Sequence, residues 1–520
     1  MNDERLAHIC RVLQGRALRE EEVVHALKQH GIEAHQVAPL LGHLVAAQRI
    51  TCMPAVRRAA GQEGEKGEER SFPFFHRLKN LIGMKQAEQI TREGYVCSRC
   101  GADGENMHVV HCARCHGPCA YCRRCITMGR SSCCVNYYTF PSLQQSPASG
   151  RKISTMEALH AYPQLTEAQR MAASEMLSFY ERDDAGEFLV WAVCGAGKTE
   201  VMFPLLHYLL AGGRRVLWAT PRRDVVLELA PRLRRAFPSY PLAVLHGKTP
   251  AEEKWSPAGF ALATTHQSLR FYRWFDAVII DEVDAYPYTA DEMLSFAVQR
   301  ARTLPGKTIY LTATPRSDYQ KRMQKPSSHK AFLPHVKIPV RYHGHLLPEP
   351  GMCRERKLND RLNAKKPIAT LLSFLDYVEK ENVPAFIFAA AIRQLPILYQ
   401  YILIQRANWQ EKIAAVHASD PKREEKVMKL REGKLQILLT TTIMERGVTL
   451  PGIQVLVYQA DAPVFDESAL VQIAGRAGRS AAAPDGQVIF MAEEVTDAMK
   501  AACRQIREMN RLAHRQGYIQ

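Results

Sequence analysis

The sequence predicts an α/β protein in which two parallel-sheet domains follow one another, and two observations support this prediction. From about residue 157 onwards, short apolar runs alternate with longer segments that have apolar residues at helical spacing. The alternation pauses in a basic, proline-containing stretch at about 316–365 and then starts again. Strands that are joined by helices lie parallel, and such sheets have helices on both faces. A small helical segment and a cysteine-rich domain, with nine cysteines between residues 97 and 134, are predicted to precede these two domains.

Changes in composition along the chain indicate the domain limits. Residues 61–70 are rich in glycine and charged residues, and residues 141–150 are rich in proline and serine, so both segments are typical of linkers. Residues 20–29 and 34–47 have apolar residues at helical spacing. We therefore predict a helical N-terminal segment with its linker at 1–70, a zinc-binding domain at 71–140, a first parallel-sheet domain at 155–330 and a second at 365–520. The predicted strands are 188–193, 215–219, 242–245, 260–263, 277–280 and 308–311 in the first domain, and 385–388, 413–416, 436–439, 455–458 and 488–491 in the second.

The overall composition indicates a soluble protein with a polyanionic partner. Hydrophobic residues make up 46% of the chain and charged residues 23%, which is an ordinary balance for a globular protein. Lys and Arg number 69 against 53 Asp and Glu, a formal net charge of +16 that favours nucleic acid first and an anionic membrane surface second. We find neither a signal-peptide pattern nor an apolar run of about 20 residues, so we expect a cytoplasmic protein without a membrane span.

The strongest single motif is the stretch Ala-Val-Cys-Gly-Ala-Gly-Lys-Thr-Glu at 192–200. It follows a short apolar run that is typical of a buried strand and precedes an apolar helix at 201–210. Backbone N–H groups of such a loop bind nucleotide phosphates, while Lys198 adds a positive charge and Thr199 offers a hydroxyl to Mg²⁺. The strict motif begins with glycine where this chain has Ala192, so an ordinary glycine-containing turn is the alternative.

Polar residues follow several strands of the first predicted sheet. Asp281 and Glu282 end one apolar strand, at the carboxyl edge where open parallel sheets bind ligands. Asp281 is a candidate for holding Mg²⁺, and Glu282 for orienting and deprotonating the attacking water. Threonine-rich strand ends at 220–222, 264–267 and 312–314 offer hydroxyl and backbone N–H groups that can bind phosphates without reading bases. A solvated acidic turn and ordinary strand caps are the alternatives.

The second predicted domain also has two segments with polar or charged residues that can contact phosphates, at 440–449 and at 472–479. The latter reads Gln-Ile-Ala-Gly-Arg-Ala-Gly-Arg, so Arg476 and Arg479 are three residues apart and are predicted to lie on one side of a helix. Such guanidinium groups can reach a phosphate that the first domain holds, which is the arginine-finger arrangement. A basic helix end is the alternative.

Nine of the 14 cysteines lie between residues 97 and 134, which favours metal binding over disulfides in a chain of this length. Two Cys-x-x-Cys pairs at zinc-ribbon spacing predict one tetrahedral zinc site, with ligands Cys97, Cys100, Cys122 and Cys125. The simplest choice for a second site is Cys112, Cys115, Cys119 and Cys134. Two alternatives stay open: the 112/115 pair could join the 97/100 pair around one ion, or the additional thiols could be small buried hydrophobes. Histidines at 108, 111 and 116 are less favoured substitutes.

The order of these segments along the chain resembles that of the motifs in superfamily 2 helicases and translocases, which have two RecA-like domains. This family tolerates alanine at the first position of the phosphate-loop motif, where this chain has Ala192. The resemblance covers about residues 160–500. Four segments resemble more narrowly the ComFA family of late competence ATPases in their amino-acid sequence: 191–200, 219–232, 281–287 and, in the cysteine-rich part, 121–130. One residue departs from the family pattern, since Tyr286 stands where phenylalanine is expected. The resemblance assigns nucleotide binding to Gln169, Gly195, Ala196, Gly197, Lys198, Thr199, Glu200 and Gln472. It assigns catalysis to Lys198, Asp281, Glu282, Arg476 and Arg479.

The resemblance implies an enzyme that couples ATP hydrolysis to movement along single-stranded DNA as it enters the cell during natural competence. ATP, Mg²⁺ and Zn²⁺ are the implied cofactors. The implied partners are single-stranded DNA, the competence protein ComFC and the membrane DNA uptake channel, with association at the inner face of the cell membrane and self-association. Two other functions stay open: a duplex-unwinding helicase of the replication-restart type, and a zinc-dependent DNA-binding adaptor whose nucleotide fold is inactive.

Overall fold

In the computed structural model the chain forms two compact units. The first consists of Met1–Ile153 and His207–Ile309, and the second of Ser154–Leu206 and Tyr310–Gln520. The structure describes residues 3–59, 94–142, 151, 153–182, 186–255, 259–324, 332–442 and 450–519. The predicted linker at 61–70, most of the one at 141–150 and most of the segment 440–449 lie outside these ranges.

The N-terminal and cysteine-rich parts of the chain alternate short helices and strands. Their elements are α1 (Asp3–Leu13), β1 (Arg16–Arg19), α2 (Glu20–Lys28), α3 (Ala34–Ala46), β2 (Thr51–Pro54), β3 (Val56–Arg58), β4 (Tyr95–Cys97), β5 (Met107–Cys112), β6 (Gly117–Cys122), β7 (Ser131–Ser132) and β8 (Asn136–Phe140). Strands β3 and β4 form an antiparallel pair, and β5, β6 and β7 form an antiparallel sheet.

The three helices and strands β1, β2 and β8 have the topology of a winged helix. The strands form an antiparallel sheet in the order β1–β8–β2, with Arg16 opposite Phe140 and Thr51 opposite Thr139. Helices α2 and α3 are joined by a short turn with Gly31 in left-handed backbone (φ +71°), as in a helix-turn-helix. Since β2 and β8 flank the wing of such a fold, the cysteine-rich segment is inserted where the wing would be. The predicted helical segment is confirmed, but it is completed by a strand from beyond the cysteines.

One apolar core holds this winged helix together and joins it to the rest of the first unit. Leu18, Leu27, Leu41 and Phe140 are buried in a single cluster that also contains Trp255. Burying each aliphatic or aromatic side chain of this size contributes about 1.5–3 kcal/mol. Because Trp255 comes from the parallel-sheet part of the same unit, the N-terminal residues are packed into that unit.

The remaining described elements alternate strands with helices. They are α4 (Thr155–His160), α5 (Glu167–Glu181), β9 (Glu187–Ala192), α6 (Lys198–Val201), α7 (Phe203–Ala211), β10 (Val216–Thr220), α8 (Arg223–Ala236), β11 (Leu242–Leu245), α9 (Ala251–Lys254), β12 (Phe260–Thr264), β13 (Phe275–Asp281), α10 (Glu292–Ala301), β14 (Arg302–Thr312), α11 (Ser317–Met323), β15 (His335–Ile338), β16 (Gly351–Arg354), α12 (Leu358–Asn363), α13 (Ala369–Lys380), β17 (Ala385–Phe388), α14 (Leu395–Gln405), β18 (Ile413–Ala415), α15 (Arg423–Arg431), β19 (Ile437–Thr440), β20 (Gln454–Tyr458), α16 (Glu467–Ala474), β21 (Val488–Ala492) and α17 (Asp497–Arg515).

These strands form the parallel sheets that the sequence predicts. In the first unit the strand order is β11–β12–β10–β13–β14. Strand β14 continues into the second unit, where the order is β14–β9–β15, and the other sheet of that unit has the order β16–β21–β20–β17–β19–β18. The pairs β10–β12, β10–β13, β11–β12 and β9–β15 are parallel, and so is every neighbouring pair of the β16–β18 sheet. All the predicted strands are present.

The stretch at 316–365 contains two strands that the sequence analysis missed, β15 and β16. Among the described strands, β15 pairs with β9 alone and β16 with β21 alone, so each is an edge strand of its sheet. Their sequences, His-Val-Lys-Ile and Gly-Met-Cys-Arg, contain polar residues or glycine and are mostly not buried, so neither forms the apolar run that marked the other strands. Among the described helices, none has the length and apolar character needed to cross a membrane.

Candidate nucleotide site and metal centres

The phosphate loop connects β9 to α6 through a turn with two glycines in left-handed backbone. Gly195 has a φ of +85° and Gly197 a φ of +77°, a conformation that other residues adopt only with strain. Lys198 is the first residue of α6, and Thr199 beside it is 7% exposed. Successive N–H groups in such a turn form a concave anion site. The loop therefore has the geometry that a phosphate chain requires.

Gln169, near the start of α5, fixes this loop in place. Its Nε2 donates to the carbonyl oxygen of Ala196 at 2.8 Å. Its Oε1 accepts from the N–H of Thr166 at 3.0 Å, while its own N–H donates to the Thr166 hydroxyl at 3.3 Å, which is a capping box. A β-carbon at Gly197 would overlap Nε2, so the close approach requires glycine. The nucleotide contact assigned to Gln169 stays a prediction.

Within the second unit, the segment 472–479 lies against the phosphate loop. The Cys194 thiol donates to Gln472 Oε1 at 3.3 Å, and a β-carbon at Gly475 would overlap the Cys194 side chain. Gln472 is 7% exposed, and its Nε2 has no hydrogen-bond partner among the described residues. Buried amide donors in folded proteins are almost always satisfied. A nucleotide oxygen is the kind of acceptor that would satisfy this one.

The prediction that Arg476 and Arg479 lie on one side of a helix is wrong. Helix α16 ends at Ala474, and both arginines follow it in irregular backbone. Gly475 is the C-cap of this helix, and Gly478, between the two arginines, has a φ of +62°, which is left-handed backbone. Arg476 is 5% exposed and Arg479 is partly exposed. The arginines remain close to the loop, because a β-carbon at Gly195 would lie 3.7 Å from Arg479 Cγ.

Arg341, which no sequence pattern marked, holds the arginine segment. It is fully buried, and its guanidinium donates to the carbonyl oxygens of Ala477, at 2.6 Å, and Gly478. The next residue, Tyr342, donates its N–H to the carbonyl oxygen of Gly195 at 3.0 Å. Burial lowers the pKa of the Arg341 guanidinium to about 10, which leaves it charged at neutral pH. One short segment therefore contacts both the phosphate loop and the arginine segment.

In the first unit, Asp281 and Glu282 lie at the carboxyl end of β13. Asp281 is 6% exposed, and its Oδ1 accepts from the N–H of Glu282 at 2.9 Å. Glu282 has a φ of +53°, a left-handed conformation that costs a non-glycine residue about 1–3 kcal/mol and is concentrated at functional sites. The acids thus occupy the predicted sheet edge, and their roles toward Mg²⁺ and water stay predictions.

The threonine side chains of the predicted phosphate-binding segments face the protein interior. Thr220 and Thr265 are fully buried, and Thr314 is 5% exposed. The Thr314 hydroxyl lies 2.7 Å from the Ser468 hydroxyl, and Thr312 Oγ1 accepts from the N–H of Thr314 at 2.9 Å. The side chains of these threonines are therefore buried, and phosphate binding by the segments 220–222, 264–267 and 312–314 stays a prediction.

The four sulfur atoms of the first predicted zinc site lie within 4.8 Å of one another; they belong to Cys97, Cys100, Cys122 and Cys125. The sulfurs of Cys97 and Cys125 are 3.8 Å apart, and those of Cys100 and Cys122 are 3.6 Å apart. A tetrahedral zinc with Zn–S bonds of about 2.3 Å separates its ligand sulfurs by about 3.8 Å, whereas a disulfide requires about 2.05 Å. The donor set therefore fits a tetrahedral metal ion.

The burial and the pKa values of the four thiols also bear on metal binding by this cluster. All four cysteines are at most 2% exposed. The pKa of Cys125 is lowered, because hydrogen bonds from the thiols of Cys100, Cys122 and Cys97 stabilise its thiolate. The pKa values of Cys97 and Cys100 are instead raised, mainly by hydrogen bonds with Cys122 and Cys125, so a metal ion would have to displace protons from these two thiols.

A second set of sulfur atoms also lies within 4.8 Å of one another; it comprises Cys112, Cys115, Cys119 and Cys134. Cys134 Sγ is 3.8 Å from Cys112 Sγ and 3.7 Å from Cys119 Sγ, again close to the spacing around tetrahedral zinc. The pKa of Cys112 is lowered to about 7 by the backbone N–H groups of Cys115 and Arg114. The alternative pairing of 112/115 with 97/100 does not form. That the metal in either cluster is zinc stays a prediction.

Three family models match the chain and define its class. The model of the type III restriction enzyme res subunit matches residues 162–317, and that of the helicase conserved C-terminal domain matches residues 366–481. The model of the competence protein ComFA N-terminal domain matches residues 74–139, which include the cysteine-rich segment. The chain is therefore an ATPase of helicase superfamily 2 with two RecA-like domains, and the inactive-adaptor alternative is wrong.

Similarity over most of the chain identifies the family. The chain is 38% identical to competence protein ComFA of Bacillus subtilis strain 168, over 84% of this chain and 90% of that protein. It is 35% identical to competence protein ComFA of Streptococcus pneumoniae, over 76% of this chain and 86% of that protein. It is 26% identical to replication restart protein PriA of Bacillus subtilis, but over only 31% of this chain and 22% of that protein. The chain belongs to the ComFA family of competence proteins.

Proposed function

We propose that this competence-related ATPase moves along single-stranded DNA and thereby drives the uptake of transforming DNA into the cell. The observation that supports this most is its membership of the ComFA family over 84% of the chain. The net charge of +16 agrees with binding to DNA, a polyanion, since contacts to the phosphates of the DNA backbone depend on Lys and Arg. Movement through backbone contacts would be largely independent of base sequence.

The proposed reaction transfers the terminal phosphate of ATP to water. Lys198 and the loop N–H groups hold the phosphates, and Thr199 and Asp281 would hold Mg²⁺. The ion, when bound, neutralises charge that develops on the phosphate oxygens. Glu282 orients the attacking water and accepts its proton, and the arginines of segment 472–479 stabilise the transition state. Arg341 holds these arginines through two carbonyl groups of their own segment.

The remaining parts of the proposal come from the family. We propose zinc as the metal of both cysteine clusters, ComFC and the membrane DNA uptake channel as partners, and a location at the inner face of the cell membrane. Self-association belongs to the same proposal. The domain limits of 1–70, 71–140, 155–330 and 365–520 are proposed as the functional division of the chain.

The rate of ATP hydrolysis with single-stranded and with duplex DNA tests the proposal. We expect strong stimulation by single strands and little by blunt duplex, and no separation of a labelled duplex. Robust strand separation would instead favour a replication-restart helicase, to which a shorter part of the chain is similar. The absence of any stimulation by single strands would contradict the translocase proposal.

Substitution of Lys198 or Glu282 tests the assigned site. We expect Lys198→Ala and Glu282→Gln each to lower ATP turnover by about 100-fold or more, since phosphate positioning or proton acceptance is lost. Binding of labelled single-stranded DNA, followed by fluorescence anisotropy, should change little. Lys380→Ala, in which the lost side chain is 82% exposed, is the control for removing a lysine. Either site variant hydrolysing ATP at the wild-type rate would contradict the assignment.

A further inference from the structure

A single buried carboxylate, that of Glu22, joins three parts of the first unit. Glu22 lies on α2 of the winged helix and is 5% exposed. Its Oε1 accepts from Arg99 Nη2 at 2.9 Å, and Arg270 Nε lies 3.5 Å from the same oxygen. Its Oε2 accepts from the N–H of Arg19 at 3.2 Å. Arg99 belongs to the first Cys-x-x-Cys pair, and Arg270 follows the segment 264–267 of the parallel-sheet part.

The guanidinium groups around Glu22 outnumber it. Arg16, Arg19, Arg99 and Arg270 are each at most 8% exposed, and Glu22 is the buried carboxylate that contacts three of them. Burial lowers the pKa of Arg16 to about 9 and that of Arg270 to about 10. A buried charge that loses its partner is strongly destabilising, so Glu22 stabilises the three guanidinium groups that it contacts, those of Arg19, Arg99 and Arg270.

Arg270, which forms an ion pair with Glu22, also contacts the segment 264–267. Its Nη1 donates to Oε1 of Gln267, which is 4% exposed. On the other side, Arg300 donates to the carbonyl oxygen of Leu269 at 2.6 Å and to that of Ser98, in the cysteine-rich segment, at 3.0 Å. The strand end that contains Gln267 is therefore fixed by contacts to the winged helix and to the cysteine-rich segment.

We propose that Glu22 is a positioning residue: through Arg270 it fixes Gln267, and it thereby makes the response of ATP hydrolysis to DNA depend on the N-terminal winged helix. The dependence on DNA rests on the proposed function, whereas the positioning itself does not. Guanidinium is suited to this place, since its Nη1 donates to the amide oxygen of Gln267 while its Nε forms an ion pair with the Glu22 carboxylate at 3.5 Å. A lysine at position 270 would keep the charge but could not bridge both groups in this geometry.

The positioning is tested first, by hydrogen exchange of the full chain. The variants are Glu22→Gln, which keeps the shape and removes the charge, and Arg270→Lys, which keeps the charge and removes the bridge. We expect both to exchange the amides of residues 265–272 faster, by about tenfold, because local opening needs less free energy without the bridge. Glu21→Gln is the control, since that neighbouring side chain is 70% exposed. Unchanged exchange in both variants would overturn the proposal whatever the enzyme does.

The consequence for activity is tested by ATPase rates without DNA and with increasing single-stranded DNA. We expect the rate without DNA to stay within about twofold of wild type in both variants, while the maximal stimulation falls by about fivefold, a coupling effect of ordinary size. The DNA concentration for half-maximal stimulation should not change. A merely structural role would lower both rates in proportion, and that result would overturn the coupling. A wild-type enzyme without any response to DNA would contradict the proposed function, while the exchange result would still decide the positioning.

Discussion

The two cysteine clusters use the same chemistry in different surroundings. Each has four thiols within 4.8 Å of one another, and two sulfur pairs in each cluster lie 3.6–3.8 Å apart. The first cluster is buried at all four positions, whereas in the second Cys115 is exposed and only Cys119 is buried. Ligand geometry is therefore equal in the two clusters, and burial is what differs.

The difference follows from where each cluster lies in the first unit. The first is formed where β4 and β6 end, next to Arg99, whose side chain is fully buried against Glu22. The second is formed at the end of the β5–β6 hairpin, with Cys134 from beyond β7. A metal in the first cluster would hold several chain segments together, whereas one in the second would hold a hairpin end. The clusters should therefore contribute unequally to stability.

The largest effect is expected from Cys97→Ala. Loss of one of four ligands should release the metal of the first cluster, and the free energy of unfolding should fall by about 4 kcal/mol or more. For a unit of this size that corresponds to a fall of about 10 °C in Tm. Zinc content by mass spectrometry and thermal unfolding measure the two results. Cys10→Ala is the control, because Cys10 is 3% exposed but lies outside both clusters. An unchanged zinc content would contradict the assignment of this cluster.

The sequence was sufficient for features that are local in the chain. The phosphate loop and the Cys-x-x-Cys pairs are each built by a few adjacent residues, so their spacing predicts their geometry. The strands of the parallel sheets other than β15 and β16 are also local features, because burial of a strand between helices makes it an apolar run.

Features that depend on distant residues could not be predicted. The winged helix needs β8, which lies beyond the inserted cysteines, and Glu22 meets Arg99 across 77 residues. Arg341 has no local pattern, since its partners are carbonyl groups of 477 and 478. The helical prediction for Arg476 and Arg479 was wrong because it rested on their three-residue spacing. The two glycines nearby, one of which has a positive φ, favour the end of a helix instead.

A smaller effect is expected when a chelator is added to the folded wild-type protein. The second cluster offers an exposed ligand, so its metal should exchange directly with the solvent, whereas the metal of the first cluster is shielded until the unit opens. Release followed with a colorimetric zinc indicator should therefore show a fast and a slow phase of equal amplitude. The slow phase should follow the rate of unfolding as urea is added, because opening limits it. Two phases that respond alike to urea would contradict the difference in burial.

The smallest effect on stability is expected from Cys115→Ser. This variant should lose the metal of the second cluster and keep that of the first, so half of the bound zinc should remain. Because Cys115 is exposed and its cluster holds only a hairpin end, the Tm should change by about 2 °C or less, the shift that corresponds to under about 1 kcal/mol in a unit of this size. Cys133→Ser is the control, since Cys133 is adjacent to this cluster but belongs to neither set. A fall in Tm as large as that of Cys97→Ala would show that burial does not separate the two clusters, and that both hold the unit together.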